Sequence, residues 1–249
     1  MKVTPIKTER IFPNSISILR LLDKYILSLK EGSIVAVASK VVAICEGRVV
    51  KNESEKQKDE LAKQEVEYYL PPEFNQLGFM ITINHNMLVA SGGVDESNGN
   101  GFYILWPKDP QKSANEIREH LSKKFGVKNL GVIITDSALQ PLRWGVRGYA
   151  ISHSGFKALK DYVGAPDIFG RIMRVEKTNM MDSLATAAVL EMGEGNERQP
   201  IAVIEDLKSL EFQERNPTEE ELEDLKISIG DDVFSSFLSR VDWQKGGKS

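Results

Sequence analysis

The sequence predicts an α/β fold, on three observations. Short, continuously apolar runs stand at IVAVA (34–38), LGVII (130–134) and IAVI (201–204), the pattern of strands covered on both faces. Segments with helical periodicity or helix-capping residues fall between them, and helix followed by strand is the signature of layered α/β proteins. The chain has 249 residues, 41% hydrophobic and 27% charged, which is enough to bury a substantial core without staples. No repeat, low-complexity tract or Pro/Gly linker divides it, so residues 1–249 are expected to form a single domain.

Between residues 17 and 30, Ile18, Leu21, Leu22, Tyr25, Ile26 and Leu29 recur on one helical face, and Gly32 stands where a C-terminal cap is expected. The strand at 34–38 then delivers Ser39 and Lys40 to its far end. The stretch KNESEKQKDELAKQEVEYYL is charged and rich in helix formers, with few large apolar residues before Val66, which predicts an exposed helix. Residues 79–83 and 87–90 flank Asn84-His85-Asn86 as the arms of a hairpin. Its second arm runs into the turn-rich SGGVDESNGNG.

Ser113-Ala-Asn-Glu116 has capping-box spacing, and with Ile117, Leu121 and Gly126 it predicts the next helix. The strand at 130–134 ends at Thr135-Asp136-Ser137. Residues 180–192 have helical composition, with Ala185, Ala187 and Ala188 small enough for close packing, and they end in Met192-Gly-Glu-Gly195. Beyond the strand at 201–204, the region of about 208–249 is charged and expected to be helical, with Thr218-Glu-Glu-Glu221 opening a capped helix.

Composition narrows the function. The net charge is −4 and basic residues are interspersed with acidic ones, so no broad cationic surface is available for sequence-independent nucleic-acid binding. Small-molecule partners are expected. No segment approaches the roughly 20 apolar residues needed to span a bilayer, and the first residues lack a signal-peptide apolar run. One cysteine, Cys45, excludes an internal disulfide and an all-cysteine metal site, and a reducing, cytoplasmic setting is expected.

Three acids stand at element ends, where a carboxylate can face a ligand: Asp95 in GGVDESN, Asp136 after the second strand, and Glu194 in MGEG. Oxygen ligands suit magnesium or manganese carrying a polyphosphate. On residue type alone, acids in turns more often cap helices or bond their own backbone. Glycines beside Asp95 and Glu194 allow phosphate oxygens to approach the backbone, and Ser97 and Asn98 add hydrogen-bonding groups. A P-loop is absent: Gly126 and Gly131 have the spacing, but Val132 occupies the lysine position. No dinucleotide-binding G-x-G-x-x-G follows a strand either. Cys45 has no histidine paired with it in sequence and is expected to be structural. Arg143, Arg147, Lys157, Lys160 and Arg171 form a locally basic stretch. It is either a solvated face or a carboxylate and phosphate clamp.

Taken together, SKVVAICEGRVV, SGGVDESN, GVIITDS, GFKALKDYVGAPDIFGR and MGEG resemble, in order and separation, the γ-glutamyl ligases that extend the deazaflavin coenzyme F-420. The resemblance spans roughly residues 34–207. It implies a mixed α/β fold in which mixed sheets pack with helices, an intertwined homodimer, and a ligase that uses GTP (or ATP) with Mg2+ or Mn2+. It also implies metal-binding roles for Asp95, Asp136, Ser137 and Glu194. Nucleotide-contacting roles fall on Phe12, Pro13, Asn14, Ser15, Ser39, Lys40 and Asn98, and on the 192–199 loop with Met192, Gly193, Gly195 and Asn196. Arg143, Arg147 and Arg171 are the candidates for substrate binding.

Two departures from the family pattern bear on the substrate. Ile44 stands where a second lysine is usual, and the segment after Asp136 reads Ala-Leu-Gln-Pro-Leu-Arg in place of a Gly-Arg pair and an aromatic. The variant pattern is similar to a bacterial subgroup linked to folate, so folate joins deazaflavin as an expected acceptor. Two rival readings remain at this point, a non-catalytic nucleotide- or pterin-binding homologue and a metal-dependent phosphohydrolase.

Overall fold

The computed structural model describes residues 1–248. The chain runs β1 (Lys2–Ile6), α1 (Ile18–Tyr25), β2 (Ser33–Ala38), α2 (Ser39–Cys45), β3 (Val49–Lys51), α3 (Glu55–Glu65), β4 (Tyr68–Leu70), β5 (Ile81–Asn84), β6 (Met87–Ala90) and β7 (Phe102–Ile104). It continues through α4 (Pro110–Phe125), β8 (Leu130–Leu139), β9 (Val146–Ser154), β10 (Leu159–Asp161), β11 (Lys177–Asn179), α5 (Met180–Met192), β12 (Ile201–Glu205), α6 (Glu219–Glu223), α7 (Ser235–Leu238) and β13 (Gln244–Lys245). The architecture is mixed α/β, as the sequence predicts.

A five-stranded sheet in the order β1-β12-β2-β8-β9 forms the centre. β2 and β8 are parallel and all other neighbours are antiparallel. Because side chains alternate along a strand, each apolar run supplies both faces. Val35, Val37, Val132, Ile134 and Ile201 pack with Leu22 of α1 and with Ala114, Ile117 and Leu121 of α4. Ile34, Ala36, Ile133, Ala202 and Ile204 pack with Leu184, Ala185, Ala188 and Met192 of α5. Each large side chain withdrawn from water this way contributes about 1.5–3 kcal/mol.

A second sheet, β13-β4-β5-β6, and the ribbon β3-β7 lie beside this sandwich. Their core is Ala62, Met80, Val94, Tyr103 and Leu105. The β5–β6 hairpin closes on His85 and Asn86, both at positive φ (50° and 59°), which is the primed turn that matches strand twist. Inside this sheet Asn84 Nδ2 donates to the carbonyl of Gly92 (2.9 Å), and the N–H of Gly92 donates to Thr82 Oγ1 (2.9 Å). These bonds fix the turn that leads to Asp95.

The structure departs from the sequence reading at several element ends. α1 stops at Tyr25, because Ile26 turns to extended backbone (φ −93°, ψ 110°) and buries its side chain in the core. Gly32 therefore sits in the turn into β2. The helix predicted from Ser113 begins a turn earlier at Pro110, capped by Asp109, whose side chain accepts from the N–H of Lys112. Ser113 is buried and donates to Glu46 Oε1 (2.7 Å). Gly126 closes α4 in the left-handed conformation as predicted (φ 67°), and Thr218 and Glu221 form both halves of a capping box on α6. Of the C-terminal region predicted as helical, only the short α6 and α7 are helix among the described residues. No helix among the described residues is long and apolar enough to cross a membrane.

Candidate active site

β2 and β8 lie parallel and end side by side, with Ala38 opposite Thr135. Such paired carboxyl ends are where open α/β sheets place ligands. β2 passes directly into α2, whose first residues are Ser39 and Lys40. β8 continues into Asp136 and Ser137 beyond a register shift against β9 at Ile134/Thr135. A bulge of this kind adds twist and re-aims the side chains that follow it.

A cavity of about 1090 Å3 opens over these strand ends. Its wall includes Lys40, Asp95, Asp136, Ser137 and Glu194, brought from four separate stretches of chain. Lys40 Nζ donates to Asp95 Oδ2 (2.6 Å), Ser97 Oγ (2.7 Å) and the Ser97 carbonyl (3.0 Å), which engages all three ammonium protons. The N–H and Oγ of Ser97 donate in turn to Asp95 Oδ1 (2.8 Å) and Oδ2 (2.9 Å). Burial opposes ionisation of Asp95, but Lys40 and Ser97 outweigh it and hold the carboxyl below its ordinary value.

Asp136 has the opposite balance. Burial pushes its carboxyl up to about 6, although the N–H of Ser137 (2.8 Å) and the indole N–H of Trp106 both donate to it. Ser137 Oγ lies 2.7 Å from both oxygens of Glu194. Asn98 Nδ2 donates to the carbonyl of Gly195 (3.0 Å), tying the Asp95 loop to the segment after α5.

The donor set is oxygen throughout, which suits a hard cation such as Mg2+ or Mn2+. Among the described residues no three carboxylate, histidine or thiol groups stand close enough to make a complete metal cage. Magnesium commonly takes one or two carboxylates and fills its remaining positions with water and phosphate oxygens. Asp136, a carboxylate at the cavity wall whose charge burial leaves short of compensation, fits that arrangement once ionised.

Of the positions implied for nucleotide contact, Phe12, Pro13, Ser39, Lys40, Asn98, Met192, Gly193, Gly195 and Asn196 line the cavity. Asn14 and Ser15 stand outside the lining. Ser15 shapes the segment instead, its N–H and Oγ both donating to the Phe12 carbonyl (3.1 and 2.7 Å). Arg143, Arg147 and Arg171 are exposed and outside the lining as well. β8 and β9 run on past the neighbouring strands as a two-stranded arm; Arg143 lies in its connecting loop, Arg147 follows the cavity-lining Val146 and so falls on the other face of the strand, and Arg171 lies in the loop between β10 and β11. The arginines that do line the cavity are Arg10 and Arg198; the first stands just before the 12–15 segment and the second lies within the 192–199 loop. Ile44 is part of the wall too.

Sequence reasoning also missed the apolar part of the cavity lining. Phe79 before β5, Val89 of β6, Leu139 and Val146 from the arm, and Tyr149 of β9 all belong to it. No local pattern joins residues so far apart in the chain. Cys45 is half-buried at the end of α2, and burial pushes its thiol up to about 11, the mark of an unreactive cysteine. His120 bonds Asp23 Oδ1 (2.8 Å), linking α4 to α1, and His153 is buried beside Phe156.

Comparison with known proteins gives this constellation a context. Residues 14–206 match the family F420-0:Gamma-glutamyl ligase. The chain is 35% identical over 198 residues to the coenzyme F420:L-glutamate ligase of Methanococcus maripaludis strain C7, covering 74% of this chain and 79% of that one. It is 36% identical to the protein of the same name from Methanopyrus kandleri over 195 residues (72% and 77%), and 36% identical to that of Methanocaldococcus jannaschii over 191 residues (71% and 76%). With the family match spanning well over half of its length, the chain belongs to the F420-0:Gamma-glutamyl ligase family.

Proposed function

We propose that this protein joins the amine of L-glutamate to the carboxyl group of a deazaflavin acceptor, driven by GTP or ATP with Mg2+ or Mn2+. The observation that carries the proposal is the convergence of Lys40, Asp95, Asp136, Ser137 and Glu194 on one large cavity. Its volume, about 1090 Å3, exceeds that of an ordinary small-molecule site and leaves room for a second substrate beside a nucleotide.

A carboxylate at neutral pH is a poor electrophile. In the reaction proposed, an acceptor carboxylate oxygen attacks the terminal phosphorus, the bond from that phosphorus to the bridging oxygen breaks, and the nucleoside diphosphate leaves. The glutamate amine then attacks the acyl carbon, phosphate departs, and the amine proton passes to phosphate or solvent. A bound divalent cation supplies neutralisation of the phosphate charge. Asp95, Asp136, Ser137 and Glu194 would hold it. Lys40 would turn from Asp95 to the phosphates, and Ser39, Asn98 and the 192–199 loop would fix the nucleotide. The apolar lining residues Phe79, Leu139, Val146 and Tyr149 would shelter the acceptor from water.

The test offers glutamate, Mg2+ or Mn2+, and GTP or ATP with deazaflavin and folate acceptors separately, followed by mass spectrometry. A glutamyl increment on the deazaflavin acceptor that needs nucleotide and metal is expected. An increment on folate alone would move the acceptor assignment. Phosphate release without glutamate consumption would replace the ligase by a phosphohydrolase, and nucleotide binding without turnover would leave a non-catalytic homologue.

The proposal includes a homodimer. Leu142 and Trp144 on the β8–β9 arm and Ile168 and Phe169 in the β10–β11 loop are 103%, 94%, 91% and 90% exposed. Apolar groups so fully in water mark contact surfaces. Light scattering is expected to give twice the mass of one chain, and a single-chain mass at micromolar concentration would remove the dimer.

A further inference from the structure

We propose that Trp106 is a positioning residue for Asp136, and that Gly93 leaves the space this contact needs. The inference rests on the reading above, in which Asp136 helps to hold the divalent cation. Trp106 follows β7, is 3% exposed and stands outside the lining of the cavity. Its ring packs with Val89 and Tyr149. Its backbone carbonyl accepts from Arg48 Nε (3.1 Å), and Arg48 is held in turn by Glu65 (2.6 Å). The indole is thus fixed from two directions, and its one donor points at Asp136 Oδ2.

That hydrogen bond, with the one from Ser137 N–H to Oδ1, engages each oxygen of the carboxylate once. Each oxygen keeps further lone-pair capacity for a cation. A carboxylate free to rotate would lose that orientation, and partners of this kind are typically worth 10–100-fold in metal affinity. The indole reaches Asp136 only because residue 93 is glycine. A Cβ there would lie 2.2 Å from Trp106 Nε1 and 2.3 Å from Cε2, and the backbone at φ +81° disfavours any side chain. Gly93 lies two residues before Asp95. The same short turn therefore presents one cavity carboxylate and makes room for the group that aims the other.

The test titrates Mn2+ alone into the wild type, Trp106→Phe, Trp106→His, Gly93→Ala and Asp136→Asn, following free Mn2+ by electron paramagnetic resonance. Thermal melts and GDP binding without metal are measured alongside. Trp106→Phe is expected to weaken Mn2+ binding about tenfold or more, with GDP binding unchanged. Trp106→His, which keeps a ring N–H, is expected to recover part of the loss, and Gly93→Ala to show a loss like that of Trp106→Phe. A purely structural role for the ring would depress melting and both ligands together, without rescue by histidine. Unchanged Mn2+ affinity in Trp106→Phe, with Asp136→Asn impaired, would overturn the positioning role while sparing the metal site. A wild type that binds no Mn2+, or an Asp136→Asn that binds it normally, would overturn both.

Discussion

Asp136→Asn is expected to lose at least about 10³-fold in turnover, the equivalent of the several kcal/mol a bound cation supplies at the transition state. The same change is expected to stabilise the metal-free protein at neutral pH. Burial raises the Asp136 carboxyl to about 6 from an ordinary 3.8, so above pH 6 the folded chain holds a charge that the unfolded chain holds more comfortably. A shift of that size corresponds to about 3 kcal/mol, and the open cavity beside the carboxylate reduces it to roughly 1–3 kcal/mol. The sign follows: the penalty is full above pH 6, shrinks as pH falls through 6, and is gone below 3.8. Urea denaturation of both proteins at several pH values measures the gap. Retained turnover with the same metal requirement would remove Asp136 from the site, and a less stable variant at neutral pH would contradict the burial argument.

His153 is expected to make the protein acid-labile in a window well above that of most carboxylates. The ring is 2% exposed, its Nδ1 has no hydrogen-bond partner among the described residues, and Phe156 packs edge-on at 5.2 Å. Burial lowers its pKa to about 4 from an ordinary 6.5. The unfolded chain therefore takes up the proton first. Stability from keeping this ring neutral is complete above pH 6.5, is lost as pH falls toward 4, and amounts to about 3 kcal/mol. His153→Leu keeps the volume and removes the proton site, so across this window it should gain about 3 kcal/mol over the wild type, and its own stability should rise as Asp136 sheds its penalty. Parallel losses in the two proteins between pH 6.5 and 4 would assign the acid sensitivity elsewhere. Glu221, which Arg215 holds well below the carboxylate range, acts only in stronger acid.

Where local chemistry decides structure, the sequence is readable. Residues 34–38 and 130–134 are apolar at every position because both sheet faces are covered, and they lie in β2 and β8. α5 begins and ends at the residues its composition marks, and the hairpin turns at His85-Asn86, with Asn84 still paired in the strand. The start of α4 was also available, since Asp109-Pro110 is itself a cap followed by proline at the first helical position. α2 was harder: VVAIC suits a strand as well as a helix, and only its place at the end of β2 decides. Of the site, the residues at the ends of β2, β8 and α5 were legible from motif order. The contacts of Trp106 with Asp136 and of Lys40 with Asp95 were not, because each joins segments 30 or more residues apart. Arg143 and Arg147 read as clamp candidates because sequence shows charge; it does not show that one stands in the β8–β9 loop and the other on the strand face opposite the cavity-lining Val146.

The position of β1 has a consequence for how the chain is made. Among the described residues Lys2–Ile6 pairs only with Ile201–Glu205, and that strand must also fill the gap beside β2. β1 therefore waits for a partner some 200 residues downstream, roughly 10–40 s at ordinary synthesis rates. Until then β2 and β8 can pair with each other but leave one edge of the sheet open, where unpaired backbone invites association with other chains. The nascent protein is most vulnerable just before β12 emerges, and its central sheet closes in one late step that joins β1 to β2 through β12.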